Sequence, residues 1–178
     1  MVCLEKEKIR FAVGIAFVLV LAYYAFSTRE THWNSVSAWY DAVVTKDEVH
    51  AAQWVDGNVP HWHLFAADLF SCEMITAVAR EYCTIGGAWE LADRPNDRYW
   101  SNQLMFTSNS SLDAWNEANK WHVEYVLVAD RNSFYAYGWK KPNAVVFDDA
   151  QYFKKIYDEG DSKVYEVVYG ANNAVNSS

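Results

Sequence analysis

Three groups of side chains have the types and spacing to do chemistry. The first is acidic and aromatic. Asp68, Glu73, Glu90, Asp93 and Asp97, with Arg94 and Arg98, fall near the expected carboxyl ends of strands, where open α/β sheets bind ligands. Trp89 and Trp100 beside Glu90 and Asp93 would form a sugar-binding patch, an aromatic plate with carboxylates to take hydroxyls. Paired carboxylates are also what glycoside hydrolysis needs, at a separation that sequence does not supply. Helix caps and surface ion pairs account for the same residues without any ligand, and both readings stand. The second group is His61-x-His63, which could set two imidazoles on one side of a strand, with His32, His50 or His122 to complete a metal set. No Cys or carboxylate spacing adds a third ligand. Ordinary polar surface beside Trp62 is the simpler account, and no metal is expected. The third is Cys72 and Cys83, placed where a helix and the following strand could bring their Cα atoms to the ~5.5 Å of a disulfide; two buried free thiols are the alternative.

Other chemistries lack their motifs. There is no phosphate-binding loop, nucleophile elbow or dinucleotide fingerprint. Asn109-Ser110-Ser111 and Asn176-Ser177-Ser178 are N-glycosylation sequons, usable only outside the cytoplasm. Thus the expected ligand-binding residues are Trp89, Glu90 and Asp93. The disulfide candidates are Cys72 and Cys83, and the glycosylation candidates Asn109 and Asn176. No catalytic residue, metal or cofactor is expected, and the chain is not read as an enzyme on its own. The formal net charge of -8, with no basic face, argues against a nucleic-acid partner. It also argues against an electrostatic hold on anionic lipid.

The elements that must position these residues begin with a hydrophobic segment. Residues 11–27 carry no charge, and Phe11 to Phe26 would reach roughly 24 Å as a helix. That is slightly short of a ~30 Å hydrocarbon core, with Lys8 and Arg10 able to snorkel at one end and Tyr23 and Tyr24 near the other. Lys6, Lys8 and Arg10 precede the segment and only Arg29 closely follows it. The positive-inside rule then gives a cytoplasmic tail over 1–10, a transmembrane helix over 11–27 and an external remainder at the cell membrane. Two alternatives stand beside this: a cleaved secretory signal, with Ala25-Phe26-Ser27 near a cleavage position, and a buried helix of a soluble protein.

Past the segment, residues 28–47 read as a membrane-proximal connector and 48–170 as one extracytoplasmic domain, with a loose tail over 171–178. Hydrophobic residues make up 52% of the chain and aromatics 17%, enough for a packed core. Helices are expected over 47–55, 72–80, 97–106, 112–121 with Ser111 as cap, and 148–157, where Tyr152, Phe153, Ile156 and Tyr157 form a stripe ended by Gly160. Strand cores are expected at 62–67, 81–86, 123–129 and 163–169. The alternation predicts an α/β domain with a mostly parallel sheet flanked by helices.

A family resemblance runs through residues 49 to 169. It lies in Val123-Glu124-Tyr125-Val126-Leu127-Val128, in Phe153-Lys154-Lys155-Ile156-Tyr157-Asp158-Glu159-Gly160 and in Lys163-Val164-Tyr165-Glu166-Val167. Ala51-Ala52-Gln53-Trp54-Val55 with Asn58-Val59-Pro60, and Gly86-Gly87-Ala88-Trp89, extend it. This cadence resembles the C-terminal extracytoplasmic domain of GT-C-type glycosyltransferases and oligosaccharyltransferase-like membrane proteins. The resemblance implies fold, sidedness and association with a membrane machine. Such transferases carry many membrane helices and an early external loop with catalytic carboxylates. This chain has no counterpart of either, so no catalytic residue carries over. The resulting expectation is a non-catalytic, membrane-anchored accessory or structural subunit, held in the bilayer by residues 11–27 and bound to a membrane-protein partner or a second copy. An external glycan-active enzyme or a carbohydrate-binding module is the alternative.

Overall fold

The computed structural model describes residues 2–29, 44–86, 93–130 and 141–170. It divides into two compact units, Met1–Ala42 and Val43–Ser178. The first contains helix α1 (Val2–Ser27), 26 residues long. Its apolar residues point to every side: the four consecutive residues Phe17, Val18, Leu19 and Val20 are each at least 63% exposed. Ser27 and Thr28 close its end by donating their hydroxyls to the Tyr24 carbonyl, at 3.0 and 2.8 Å. The helix is long as a rod, but its uncharged part falls below the ~20 residues of a usual span. Among the described residues, no helix is long and apolar enough to cross a membrane.

The second unit opens on α2 (Lys46–Asn58). Thr45 and Glu48 form a capping box, and the buried residues Glu48, Ala51, Ala52 and Val55 recur at helical spacing. The connector expected over 28–47 lies largely outside the described residues, and its last two positions already belong to this helix. Strand β1 (Leu64–Ala66) follows. Asp68 then caps α3 (Leu69–Met74), which loosens into one π-helical stretch, Ile75–Ala79, and ends at Arg80 in the left-handed region. β2 (Tyr82–Cys83) is two residues long. Helices α4 (Pro95–Thr107) and α5 (Ser111–Lys120) come next, the second capped by Ser110, whose hydroxyl accepts from the Asp113 amide. β3 (Tyr125–Ala129), a 3₁₀ turn (Ala144–Asp148), β4 (Phe153–Glu159) and β5 (Ser162–Val167) complete the unit.

The five strands form one sheet in the order β2-β1-β3-β5-β4. β1 runs parallel to β2 and to β3, whereas β5 is antiparallel to both β3 and β4. The sheet is therefore mixed and not mostly parallel, and residues 153–159 are a strand where a helix was expected. The register shifts between Lys155 and Tyr157, so Phe153 and Tyr157, which an unbroken strand would set on one face, are buried in two different cores. Their four-residue spacing is also that of a helix stripe. Gly160-Asp161 is the loop of a tight hairpin, with Glu159 paired to Ser162.

Strand residues alternate between two cores. Ala66, Val126, Val128 and Tyr165 face Met105, Phe106, Trp115 and Phe147. Phe65, Leu127 and Val164 face Ala51, Val55, Ile75 and Tyr157. Helices thus cover the sheet on both sides, which is why β3 is apolar without interruption.

Gly160 is fixed by its backbone, with φ +60°, and an added Cβ would run into the Asp47 carboxylate. Asp47 in turn accepts from the Asp161 amide at 3.2 Å. Gly160→Ala is expected to destabilise the domain by about 1–2 kcal/mol through the left-handed backbone alone. An unchanged denaturation midpoint would show that the hairpin relaxes at no cost.

Candidate functional site

The chain passes from β1 to β2 on one side, and β3 lies on the other. That makes the carboxyl end of β1 the place where an open sheet offers a crevice. Here Asp68 follows the strand and caps α3. Its Oδ1 accepts from the amides of Phe70 and Ser71 at 3.0 and 3.3 Å. Its Oδ2 lies 2.9 Å from the Ser71 hydroxyl. The same hydroxyl is 2.6 Å from Glu48 Oε1, and Glu48 Oε2 accepts from the Thr45 amide at 2.7 Å. One hydroxyl has one proton, so Ser71 donates to one of its two carboxylates at a time. The Thr45 hydroxyl donates onward to Asp161 Oδ1 at 3.2 Å. On the other side of the strand end, Asn102 Nδ2 donates to the Ala67 carbonyl at 2.8 Å, and the Thr84 hydroxyl donates to Asn102 Oδ1 at 2.9 Å.

This network joins α2, α3, α4 and the β4–β5 hairpin around the end of one short strand. Glu48 and Ser71 are fully buried and Asn102 nearly so. A nucleophile or general base must reach its substrate, and Ser71 and Glu48 do not reach the surface. The arrangement braces the end of the strand. Only the Thr45-x-x-Glu48 capping box is legible as a local signal. Nothing in the sequence announces that Glu48 meets Ser71 across 23 positions.

Only part of the patch expected from sequence lies among the described residues. Trp89 and Glu90 lie outside the described residues. Asp93 is exposed, paired with Arg94 at 3.2 Å, and its carbonyl accepts from Arg98 Nε at 3.1 Å. The two guanidinium groups each lie 5.0 Å from the centre of the Trp121 ring, cation–π contacts of an ordinary surface kind. Asp97 sits in the first turn of α4, favourable for a helix N-terminus, and Glu73 lies on α3. Asp68 caps α3.

Among the described residues, the histidines do not converge. His61 Nδ1 lies 3.1 Å from Glu81 Oε1, and His63 Nδ1 lies 2.8 Å from Glu124 Oε1. Burial pushes the Glu124 carboxyl up, but the Leu64 amide and His63 together outweigh it and hold the group below its ordinary range. His50 is on α2, His122 follows α5 with φ +55°, and His32 lies outside the described residues. Among the described residues, no group of three or more His, Cys, Asp or Glu could hold a metal ion. Cys72 and Cys83 are joined in a disulfide between α3 and β2, with Cα atoms 5.5 Å apart. Asn109 is exposed between α4 and α5, with its Oδ1 3.4 Å from Asn143 Nδ2; Asn176 lies outside the described residues.

What the fold defines is a mixed α/β domain with one five-stranded sheet between helices. No family model matches the chain, and no curated protein does. Two crystal structures are similar to it, both of the C-terminal globular domain of an oligosaccharyltransferase from Archaeoglobus fulgidus. The first shares 16% identity at a TM-score of 0.48, covering 70% of this chain and 99% of the other. The second shares 15% identity at a TM-score of 0.42, covering 73% and 100%. Neither identity nor superposition reaches a level that transfers a function, a ligand or a partner to this chain.

Proposed function

We propose that this chain is a non-catalytic accessory or structural subunit of a larger membrane assembly, anchored through residues 11–27 with its domain outside the cytoplasm. The observation that carries this reading is α1, whose described apolar residues from Phe11 to Phe26 are exposed on all sides. A helix apolar all round needs apolar surroundings. A run shorter than the hydrocarbon thickness is accommodated by bilayer thinning, by snorkelling flanks or by oligomerising. Arg10 and Tyr24 suit the first two, and a partner's helices suit the third. The non-catalytic part of the reading draws support from the β1 terminus, where the polar groups are spent on bracing. The link to glycan transfer rests on the sequence cadence of residues 49 to 169, one segment of which, Phe153 to Gly160, is a strand where the resemblance implied a helix.

The test compares the full chain with a variant lacking residues 2–27 in its native membrane. Alkaline carbonate should leave the full chain in the pellet and release the deletion variant. Mild detergent should bring down a stoichiometric second protein or a second copy with the full chain. Release of the full chain by carbonate overturns the anchor. A lone monomer in detergent overturns the subunit.

A further inference from the structure

At the amino ends of the parallel strands, opposite the braced network, the backbone does something unusual. Trp62 has φ +76°, a region bulky side chains rarely enter and one that persists only when the surroundings enforce it. The enforcement is visible. The Glu81 side chain is fully buried; one oxygen meets His61 Nδ1 at 3.1 Å and the other accepts from the His63 amide at 2.7 Å. Glu124 likewise meets His63 Nδ1 at 2.8 Å and accepts from the Leu64 amide at 3.0 Å. Four hydrogen bonds to two carboxylates therefore clamp residues 61–64. The clamp does not bury Trp62. It turns the indole outward, 68% exposed, beside Tyr82, 57% exposed. The two rings lie 5.8 Å apart at 44° and form a shallow aromatic platform.

A polar rim, tied to the platform through His61, carries groups of both kinds. Arg80 donates to Asp56 Oδ1 at 2.7 and 3.2 Å, and one of its nitrogens lies 3.3 Å from His61 Nε2. A guanidinium only donates, so His61 Nε2 accepts, and its Nδ1 carries the proton given to Glu81. Donors on Arg80 and acceptors on Asp56 are thus tied to the clamp through His61, the residue before Trp62, and Arg80 lies two positions before Tyr82.

We infer that Trp62 and Tyr82 form a binding platform for a neutral saccharide. The electron-rich faces of the rings attract the polarised C–H face of a pyranose, as they attract other positive edges. The rim takes hydroxyl groups, which donate and accept at once. A purely apolar partner would desolvate the Arg80–Asp56 ion pair and give it no hydrogen bonds in return, and an anionic ligand meets a chain of net charge -8. This site stands on the domain alone and goes beyond the anchored-subunit reading, which it neither needs nor tests.

The experiment is saturation-transfer NMR on the full chain in a detergent without a sugar headgroup. The probes are methyl glucoside, methyl mannoside and an N-acetylglucosamine disaccharide, each at millimolar concentration, with Trp62→Ala, Tyr82→Ala and Trp121→Ala compared. At least one sugar should receive saturation through its ring C–H protons. Trp62→Ala should weaken binding about tenfold or abolish it, Tyr82→Ala should weaken it less, and Trp121→Ala should leave it unchanged. Far-UV circular dichroism and the melting midpoint establish that Trp62→Ala is folded; because Trp62 is exposed, both should match the parent. No transfer to any of the sugars overturns the inference, as does transfer that survives in folded Trp62→Ala. If Trp62→Ala unfolds, the Tyr82→Ala variant decides: unaltered binding there also overturns it.

Discussion

Reducing the Cys72–Cys83 disulfide, or replacing both cysteines by alanine, is expected to destabilise the domain by about 3 kcal/mol. The bond closes a loop of sequence separation 11, and constraining a loop of that size in the unfolded chain is worth roughly that amount. A midpoint shift on the order of 10 °C corresponds to it for a domain of this size. The location makes the effect more than entropic. β2 is an edge strand of two residues, paired with β1 only through Leu64–Tyr82 and Phe65–Cys83. It has little of its own to hold it in register. Cys72 is completely buried on α3, and an added Cβ at Gly86 would lie 3.1 Å from the Cys72 Cβ, so the chain after β2 packs tightly against the bridge. The check is thermal unfolding of the parent with and without reductant, alongside the double variant. The reduced parent and the double variant should melt together, both below the oxidised parent. Coincidence of all three curves would show that the bridge adds nothing.

That bridge also shows what sequence can and cannot say about this chain. Two cysteines eleven positions apart, one in a helical stretch and one in a strand-like stretch, are a local pattern, and the geometry that joins them is local as well. The same holds for α2, where the capping pair Thr45 and Glu48 and the spacing of Ala51, Ala52 and Val55 all lie within one element. Residues 153–159 went the other way. Their apolar spacing is shared by a helix and a bulged strand, and no property of the segment itself decides between them. The decision comes from β5, whose Val164 and Tyr165 supply both the ladder and the cores on either side. The mixed sheet follows from that one hairpin, since every other expected strand core was placed near its observed position. Trp62 reads in the sequence as the first residue of a buried strand and as a neighbour of two histidines, whereas the strand begins at Leu64 and Trp62 faces outward. Its outward turn depends on Glu81 and Glu124, which bond the His63 and Leu64 amides across 18 and 60 positions of the chain. Contacts of that range leave no periodicity to read.

Glu48→Ala is the second large effect, about 3 kcal/mol of destabilisation. Glu48 is fully buried, and its two oxygens serve the Thr45 amide and the Ser71 hydroxyl. Truncation strips the Thr45 amide of its partner and leaves the Ser71 hydroxyl to Asp68, at about 1–3 kcal/mol for a group left unsatisfied, and it removes half of a capping box. Glu48→Gln separates the contributions. The amide fills the same space and keeps one oxygen, so it can serve one donor, while its own NH₂ faces the other. It should therefore lose less than alanine but still melt below the parent. Thr45→Ala should cost about 1 kcal/mol, as the loss of an N-cap hydroxyl does. Combined with Glu48→Ala it should add less than its own cost, because the two act through one another. These signs bear on function as well as on stability. A carboxylate kept for binding or catalysis is held at the expense of the fold, and its removal is commonly neutral or stabilising. A brace behaves in the opposite way. Destabilisation by Glu48→Ala and by Glu48→Gln would assign the polar groups at the end of β1 to architecture, as the non-catalytic reading requires. A raised melting midpoint for Glu48→Gln would sink that assignment and return the β1 terminus to consideration as a site built to act on something.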